Sequence, residues 1–479
     1  MIRIIRKFFD TGRMTKLDNI SGEIPSTKEI YTNIWKIAMP SVFEMVFVSL
    51  IGSMDTIMVG VLGSSAIAAT GLTGQPRMII LSVFFALNVG VTAVVARRKG
   101  ENQAESAMAC LRSSLMVILI LSFFVMGLAY YFAEPMMRIA GGNEANAYEA
   151  RVLKDSTTYF KIMALSLPIQ GLTMCINAAQ RGVGNTKIIM IVNTISNVVN
   201  VILNYLLIGG NFGFPRLEVA GAAIASVIGI VVGFLLSLYS ISGKKHKDAF
   251  LCLRLKDDWH IRKEPLRAVS KVGVGALLEQ VAFRTGFFIY TRMIFDLGAE
   301  AFASHQICSQ FMTISFTVGD GIGVAGTTLV GQMLGKKRKE LAVIYGKASQ
   351  RIALVAALIL SSFIVPFRES LVWLFVNADE PHIAELAAQV MLILACFLPF
   401  QTSSVVVSGC LRGAGDIKFV GAISTICVMI IRPLLTALAV YILGLGLIGA
   451  WCASLIDMII RVTCVYNRFH KEKWTSILI

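Results

Sequence analysis

The chain has 479 residues, 56% of them hydrophobic and 15% charged, with a formal net charge of +15. Apolar runs of membrane length recur from end to end, which excludes a large soluble enzyme and points to a polytopic membrane protein. The excess lysine and arginine sits in short loops between those runs, the positive-inside pattern, so no nucleic-acid partner is expected.

Residues 1–33 mix Arg3, Arg6, Lys7, Arg13 and Lys16 with acids, and the apolar run that follows is too long for the core of a cleavable signal. They read as a cytoplasmic arm, either amphipathic along the membrane surface or without fixed structure. A helix of about 20 apolar residues spans the hydrocarbon core. Such stretches fall at residues 34–61, 68–97, 106–131, 153–181, 188–209 and 218–242. After a polar segment they resume at 266–295, 301–331, 342–366, 383–411, 418–441 and 447–467. The predicted fold class is therefore an all-α polytopic membrane protein with about twelve spans. Arg97-Arg98-Lys99, residues 244–267 and Lys336-Lys337-Arg338-Lys339 are basic. Residues 132–152, 210–217, 296–300 and 367–382 are mixed or acidic. The alternation puts both termini on the cytoplasmic side of the plasma (inner) membrane.

The two halves repeat. Arg181–Lys187 (RGVGNTK) returns 231 positions later as Arg412–Lys418 (RGAGDIK), and Leu167-Pro168 with Gln170 returns at the same offset as Leu398-Pro399 with Gln401. Leu62-Gly63 returns as Leu297-Gly298 and Glu44 as Glu279, both 235 positions later, and Gly221–Ser226 (GAAIAS) reappears as Gly449–Ser454 (GAWCAS). An even number of spans per half makes the repeat parallel. The expected domains are an arm (1–33), an N-terminal six-helix lobe (34–242), a cytoplasmic linker (243–265), a C-terminal six-helix lobe (266–467) and a cytoplasmic tail (468–479). Such a repeat implies a substrate cavity near the midplane opened alternately to either side. No filter loop or pore-lining ring suggests a channel. The nine cysteines lack a CxxC pair and fall mostly in spans, so they read as small hydrophobes rather than metal ligands or disulfides.

The first span carries Pro40, Glu44 and Asp55. Proline opens the helical hydrogen-bond ladder and bends it. An ionisable side chain in a span costs a few kcal/mol, so it is paired, hydrated or used. Asp55 reads as the working carboxylate, binding a cation when ionised; the bland alternative is a hydrogen-bond cluster that only holds helices together.

Pro40 to Gly63, with the pattern P-x14-DTIMVG-x-LG, resembles the first helix of multidrug and toxin extrusion (MATE) transporters. The two RG-x-G-x-x-K loops, Leu329–Gly335 (LVGQMLG) and Arg432-Pro433-Leu434 share that likeness, which covers residues 34–467. The resemblance implies two six-helix lobes exporting organic cations or other amphipathic toxins in exchange for Na+ or H+. It also implies a cation site in the first lobe at Asp55, Asn200, Asn204 and Ser226, where some members carry a second acid in place of Asn204. Those oxygens suit a hard cation, and Na+ is expected at Asp55, Asn200 and Asn204. Asn200 and Asn204 share one helical face. A NorM-like branch adds a glutamate on helix seven, matched by Glu279, and an aspartate on helix ten, which here is Gln401.

Glu279 and its repeat counterpart Glu44 are thus second candidate acids, with Gln170 and Gln401 as cavity amides. The competing structural readings pair Glu279 with Arg284, Asp320, Arg432 or Asp457, and make the glutamines helix-to-helix hydrogen bonds. His305 reads as a satisfied interfacial histidine rather than a pH sensor. GIGVAG (Gly321–Gly326) and GLGLIG (Gly444–Gly449) follow no soluble strand, so they read as close packing or tight turns rather than a dinucleotide site.

No Walker A sequence is present, which leaves an ion gradient as the motor, and no HExxH or nucleophile–histidine pattern suggests an enzyme. The expected function is a monomeric secondary antiporter with no cofactor beyond the coupling ion, taking a drug-like, cationic small molecule from the lipid bilayer or cytoplasm. The alternative is a flippase for a lipid-linked oligosaccharide; few span arginines (Arg284, Arg432) tilt the sequence away from it.

Overall fold

A computed structural model of the chain describes residues 8–14, 22–142, 144, 146–242, 250–254, 257, 259–376 and 380–477. Eleven of its helices are long and apolar enough to cross a membrane, and twelve spans result if one bent pair counts as a single crossing. In chain order the helices are α1 (Thr27–Gly60), α2 (Ser64–Gly100), α3 (Ala104–Tyr131), the short α4 (Ala133–Ile139), α5 (Ala147–Leu165), α6 (Leu167–Val183) and α7 (Thr186–Gly209). They continue as α8 (Glu218–Ile241), α9 (Lys263–Phe295), α10 (Ala299–Gly335), α11 (Lys339–Trp373), α12 (Pro381–Gly413), α13 (Ile417–Ile442) and α14 (Gly446–His470).

The bent pair is α5 and α6, set at 52°. Pro168 has no N–H to continue the ladder, and the Ser166 hydroxyl turns back to the Met163 carbonyl at 2.7 Å. Its repeat counterpart α12 stays continuous through Pro399, and α1 stays continuous through Pro40. In α13, π-helical turns at Ile426–Ile431 and Leu438–Ile442 flank Arg432.

The helices group into two compact units, one of residues 43–273 and one of residues 1–42 with 274–479; they are called the N-unit and the C-unit below. Both boundaries fall inside helices, α1 and α9, whereas the apolar runs suggest lobes that begin with those helices, at 34 and 266. At 34 and 33 residues these helices measure about 50 Å, well beyond a hydrocarbon core of about 30 Å. Their leading turns therefore have apolar surface to bury elsewhere. Ile30, Ile34 and Ile37 of α1 do so in the C-unit core, with Leu329, Ile344, Val406 and Phe469.

The repeat holds at the level of single hydrogen bonds. Thr92 donates to the Ala178 carbonyl at 3.0 Å in the N-unit, and Thr327 donates to the Gly409 carbonyl at 2.8 Å in the C-unit. In each RG-x-G-x-x-K loop the second glycine, Gly184 or Gly415, closes the helix with a positive φ, 97° and 89°. The first glycine of each, Gly182 or Gly413, is where the neighbouring helix backbone approaches: an added Cβ would lie 2.8 Å from the Thr92 carbonyl oxygen or 2.2 Å from that of Thr327. The GIGVAG and GLGLIG motifs serve packing and turns as well. Gly321 and Gly326 abut Val42 and Cys410, while Gly444 and Gly446 take positive φ.

The described part of the N-terminal arm docks against the protein instead of lying free. Met14 is buried and its carbonyl accepts from Lys347 at 2.7 Å; the Phe8 carbonyl accepts from Arg351, whose guanidinium lies 4.9 Å from the Phe8 ring. In the tail, Trp474 is buried and stacks on Phe469. Arg3, Arg6, Lys7 and Lys16 lie outside the described residues, as do 243–249, 255, 256 and 258 of the linker and Asp379 of the acidic loop. The rest of the linker folds back on α3: Asp257 pairs with Arg112 at 3.1 Å, and the Arg262 N–H donates to the Ser113 hydroxyl at 3.1 Å.

Candidate cation-binding site

In the N-unit, α1 exposes the apolar stripe Phe43, Phe47, Leu50, Met54 and Ile57. That stripe leaves Glu44, Ile51 and Asp55 on the packed side, with Glu44 and Ile51 buried and Asp55 half-buried. The partner surface comes from α7 and α8. Gly221 lies against the Leu207 carbonyl and Gly229 against the Ser196 carbonyl, where a Cβ would sit at 2.6 and 3.0 Å. This close approach sets Ser226 of α8 beside Asn200 of α7, and Asn204 follows one turn on along the same face.

Asn204 donates Nδ2–H to Asp55 Oδ1 at 2.7 Å. Asn200 donates its Nδ2–H to the same oxygen at 2.9 Å, while its Oδ1 accepts from the Ser226 hydroxyl and backbone N–H, both at 3.2 Å. An ionised carboxylate only accepts, which selects this amide orientation. Asn204 Oδ1 is left buried with no hydrogen-bond partner. Such an orphaned acceptor costs about 1–3 kcal/mol unless something positive satisfies it. A carboxylate, amide oxygens and a hydroxyl suit a hard monovalent cation. Among the described residues no group of three or more His, Cys, Asp or Glu is placed to hold a metal ion. The four residues named for this site thus come together, and Arg77 of α2 lies close enough to act on Asp55 electrostatically.

The other candidates divide differently. Glu44 is 4% exposed; its Oε1 accepts from Arg181 Nη2 at 2.9 Å and from Asn193 Nδ2 at 2.6 Å. Glu279, also 4% exposed, accepts from Arg412 Nη2 at 2.7 Å and from the Ser424 hydroxyl at 3.2 Å. Its ion-pair partner is therefore none of Arg284, Arg432 or Asp457, nor does Asp320 take that place. Arg412 comes from the repeated loop, 231 positions after Arg181, and so stands to Glu279 as Arg181 stands to Glu44. Arg432 and Asp457 pair instead with each other at 2.7 Å, and Arg461 joins the same Asp457 oxygen at 3.1 Å.

Arg461 and Arg77 sit inside spans and extend the pair of span arginines read from the sequence. Gln170 and Gln401 do not join the Asp55 set; each leaves a buried Oε1 without a partner. His305 is 1% exposed rather than interfacial, with its ring against Tyr290 and Trp451 and its Nε2 3.3 Å from the Ser309 hydroxyl.

A helical membrane protein built from a parallel repeat, with a half-buried carboxylate and buried amides on its membrane-spanning helices, is a polytopic transporter by class. The family model MatE matches residues 40–206 and 276–438, more than half of the chain, and the chain belongs to that family of multidrug and toxin extrusion transporters. It is 28% identical over 456 residues, 94% of each chain, to a probable multidrug resistance protein NorM of Thermotoga maritima. It is 26% identical to the uncharacterized transporter YisQ of Bacillus subtilis, covering 92% of this chain and 94% of that one. Among solved structures, an outward-facing multidrug resistance MATE family transporter of the MOP superfamily shares the fold with a TM-score of 0.84 at 21% identity, over 93% of this chain and 97% of that one.

Proposed function

We propose that this membrane transporter is a secondary active antiporter that exports organic cations and other amphipathic drugs, driven by Na+ or H+ bound at Asp55. The observation that carries the reading is the half-buried Asp55 carboxylate held by two amide donors, beside a buried amide oxygen that has no partner. The cycle is one of alternating access. Drug enters from the cytoplasm or inner leaflet, leaves from the outward-open state, and cation binding at Asp55 resets the helices. The cation drives the cycle only because it binds one state more tightly than the other. The protein works as a monomer in the plasma membrane with both termini cytoplasmic. The relatives' drug-resistance names support drug export over the lipid-linked oligosaccharide flippase.

The test is ethidium movement in proteoliposomes under an imposed sodium or proton gradient, with Asp55→Asn alongside. Transport driven by one gradient and lost in the variant supports the reading and names the ion. Undiminished coupled transport by well-folded Asp55→Asn removes it.

A further inference from the structure

Glu44 and Asp55 are 11 residues apart on α1, and their amide donors Asn193 and Asn204 are 11 residues apart on α7. Eleven residues make three turns almost in phase, about 16 Å along the axis. The two helices therefore run in the same direction with matched spacing, joined by a carboxylate–asparagine hydrogen bond at each end of the seam between them. Between those ends α7 presents two more amides on the same face, Asn197 and Asn200. Asn197 is half-buried and donates its Nδ2–H to the Asn193 carbonyl at 2.8 Å.

The C-unit is an internal control. At the repeat offset of 231, Asn193, Asn197, Asn200 and Asn204 correspond to Ser424, Val428, Ile431 and Leu435; at 235, Asp55 corresponds to Tyr290. The acid–arginine pair survives there as Glu279 and Arg412, yet nothing of the asparagine stripe remains beyond the serine that touches Glu279. Packing this helix pair and anchoring its glutamate thus require no line of amides. Four amides in one span carry a desolvation penalty that packing alone leaves unexplained. Glu44 adds a second sign: its Oε2 is buried and has no hydrogen-bond partner.

From these observations we infer that a cation path runs along the α1–α7 seam of the N-unit, from Asp55 past Asn200 and Asn197 to a second station at Glu44. The inference rests on Asp55 being the coupling acid. Amide oxygens hand a hard cation along the stripe, and the spare Glu44 oxygen receives it. Arg181 already neutralises much of the Glu44 charge, which keeps this station weak enough to release what it accepts.

Radiolabelled sodium uptake and dye-reported proton flux in proteoliposomes test the path. They are paired with the cation-dependent shift in unfolding temperature of the solubilised protein, which reads binding at Asp55. Asn197→Val installs the side chain that the C-unit carries at this position. Its flux is expected to fall about tenfold, while the cation-dependent shift stays at the wild-type value. Asn197→Ser, which keeps an oxygen on the face, restores part of the flux. Asn197→Ala gives the same reading should the valine variant fold poorly. Wild-type flux in either folded apolar variant overturns the path, as does a loss of the cation-dependent shift together with the flux. Asp55→Asn separates this inference from the one beneath it. Flux lost there but normal in Asn197→Val removes the path alone, whereas normal flux in Asp55→Asn removes the coupling role itself.

Discussion

Glu279 and Arg412 meet at 2.7 Å in the C-unit, at the two positions that the internal repeat assigns to Glu44 and Arg181. Each pair ties the first helix of its half to the end of the helix that leads into the RG-x-G-x-x-K turn. The two glutamates are equally buried, at 4% exposure. The clasp is present twice, with its charges kept both times, and ties the first helix of each half in the same way.

Removing one side of a clasp is expected to harm more than removing both. Arg412→Ala strands a buried carboxylate, a loss of about 3 kcal/mol given that the arginine is partly exposed. Glu279→Gln combined with Arg412→Gln removes both charges and recovers much of that. Thermal unfolding in detergent compares them; a single variant as stable as wild type would show that the pair contributes nothing.

Asn204→Asp places a second carboxylate beside Asp55 Oδ1, now 2.7 Å from an amide. Like charges at that distance repel in the absence of a cation and attract one when it is supplied. The variant should unfold at a lower temperature than wild type without sodium and gain more from added sodium. A sodium response no steeper than wild type would argue against a cation site here.

Asp457 accepts from two arginines and is fully buried, with Arg432 and Arg461 at 6% and 4% exposure. Asp457→Leu leaves two buried guanidinium groups facing each other and is expected to abolish folded protein in the membrane. Arg461→Met leaves the Arg432–Asp457 pair whole and should be tolerated. Size-exclusion profiles of the two variants test the contrast, and equal profiles would refute it.

The two repeated glycines make a graded test of packing. Gly413→Ala drives a Cβ to 2.2 Å from the Thr327 carbonyl oxygen, and Gly182→Ala to 2.8 Å from that of Thr92. Backbone atoms on both sides cannot rotate away, so Gly413→Ala should be the more damaging, by about 1–3 kcal/mol. Unfolding temperatures in that order support the geometry; the reverse order contradicts it.

Much of this protein is written locally. Long apolar runs and their basic loops define helices and membrane crossing, because each helix satisfies its own backbone and needs no distant partner to be recognised. The repeat is legible for the same reason: RG-x-G-x-x-K encodes a helix end whose glycines are required by a positive φ and a close approach, both properties of short segments. Asp55, Asn200, Asn204 and Ser226 were readable as a set through resemblance to a family, and the fold brings all four together.

Charge pairing is another matter. Glu279 has Arg284 five residues away on its own helix and Arg412 more than a hundred residues away, and it takes Arg412. Spacing along a chain says which side chains share a helical face, but not which helix faces it or at what height. Those follow from how small residues such as Gly221 and Gly413 let neighbouring backbones approach, which is settled only when the helices pack. The sequence by itself therefore determined the spans, the repeat and the candidate acid. Tertiary packing alone decided that Glu44 and Glu279 are held by arginines while Asp55 is held by amides.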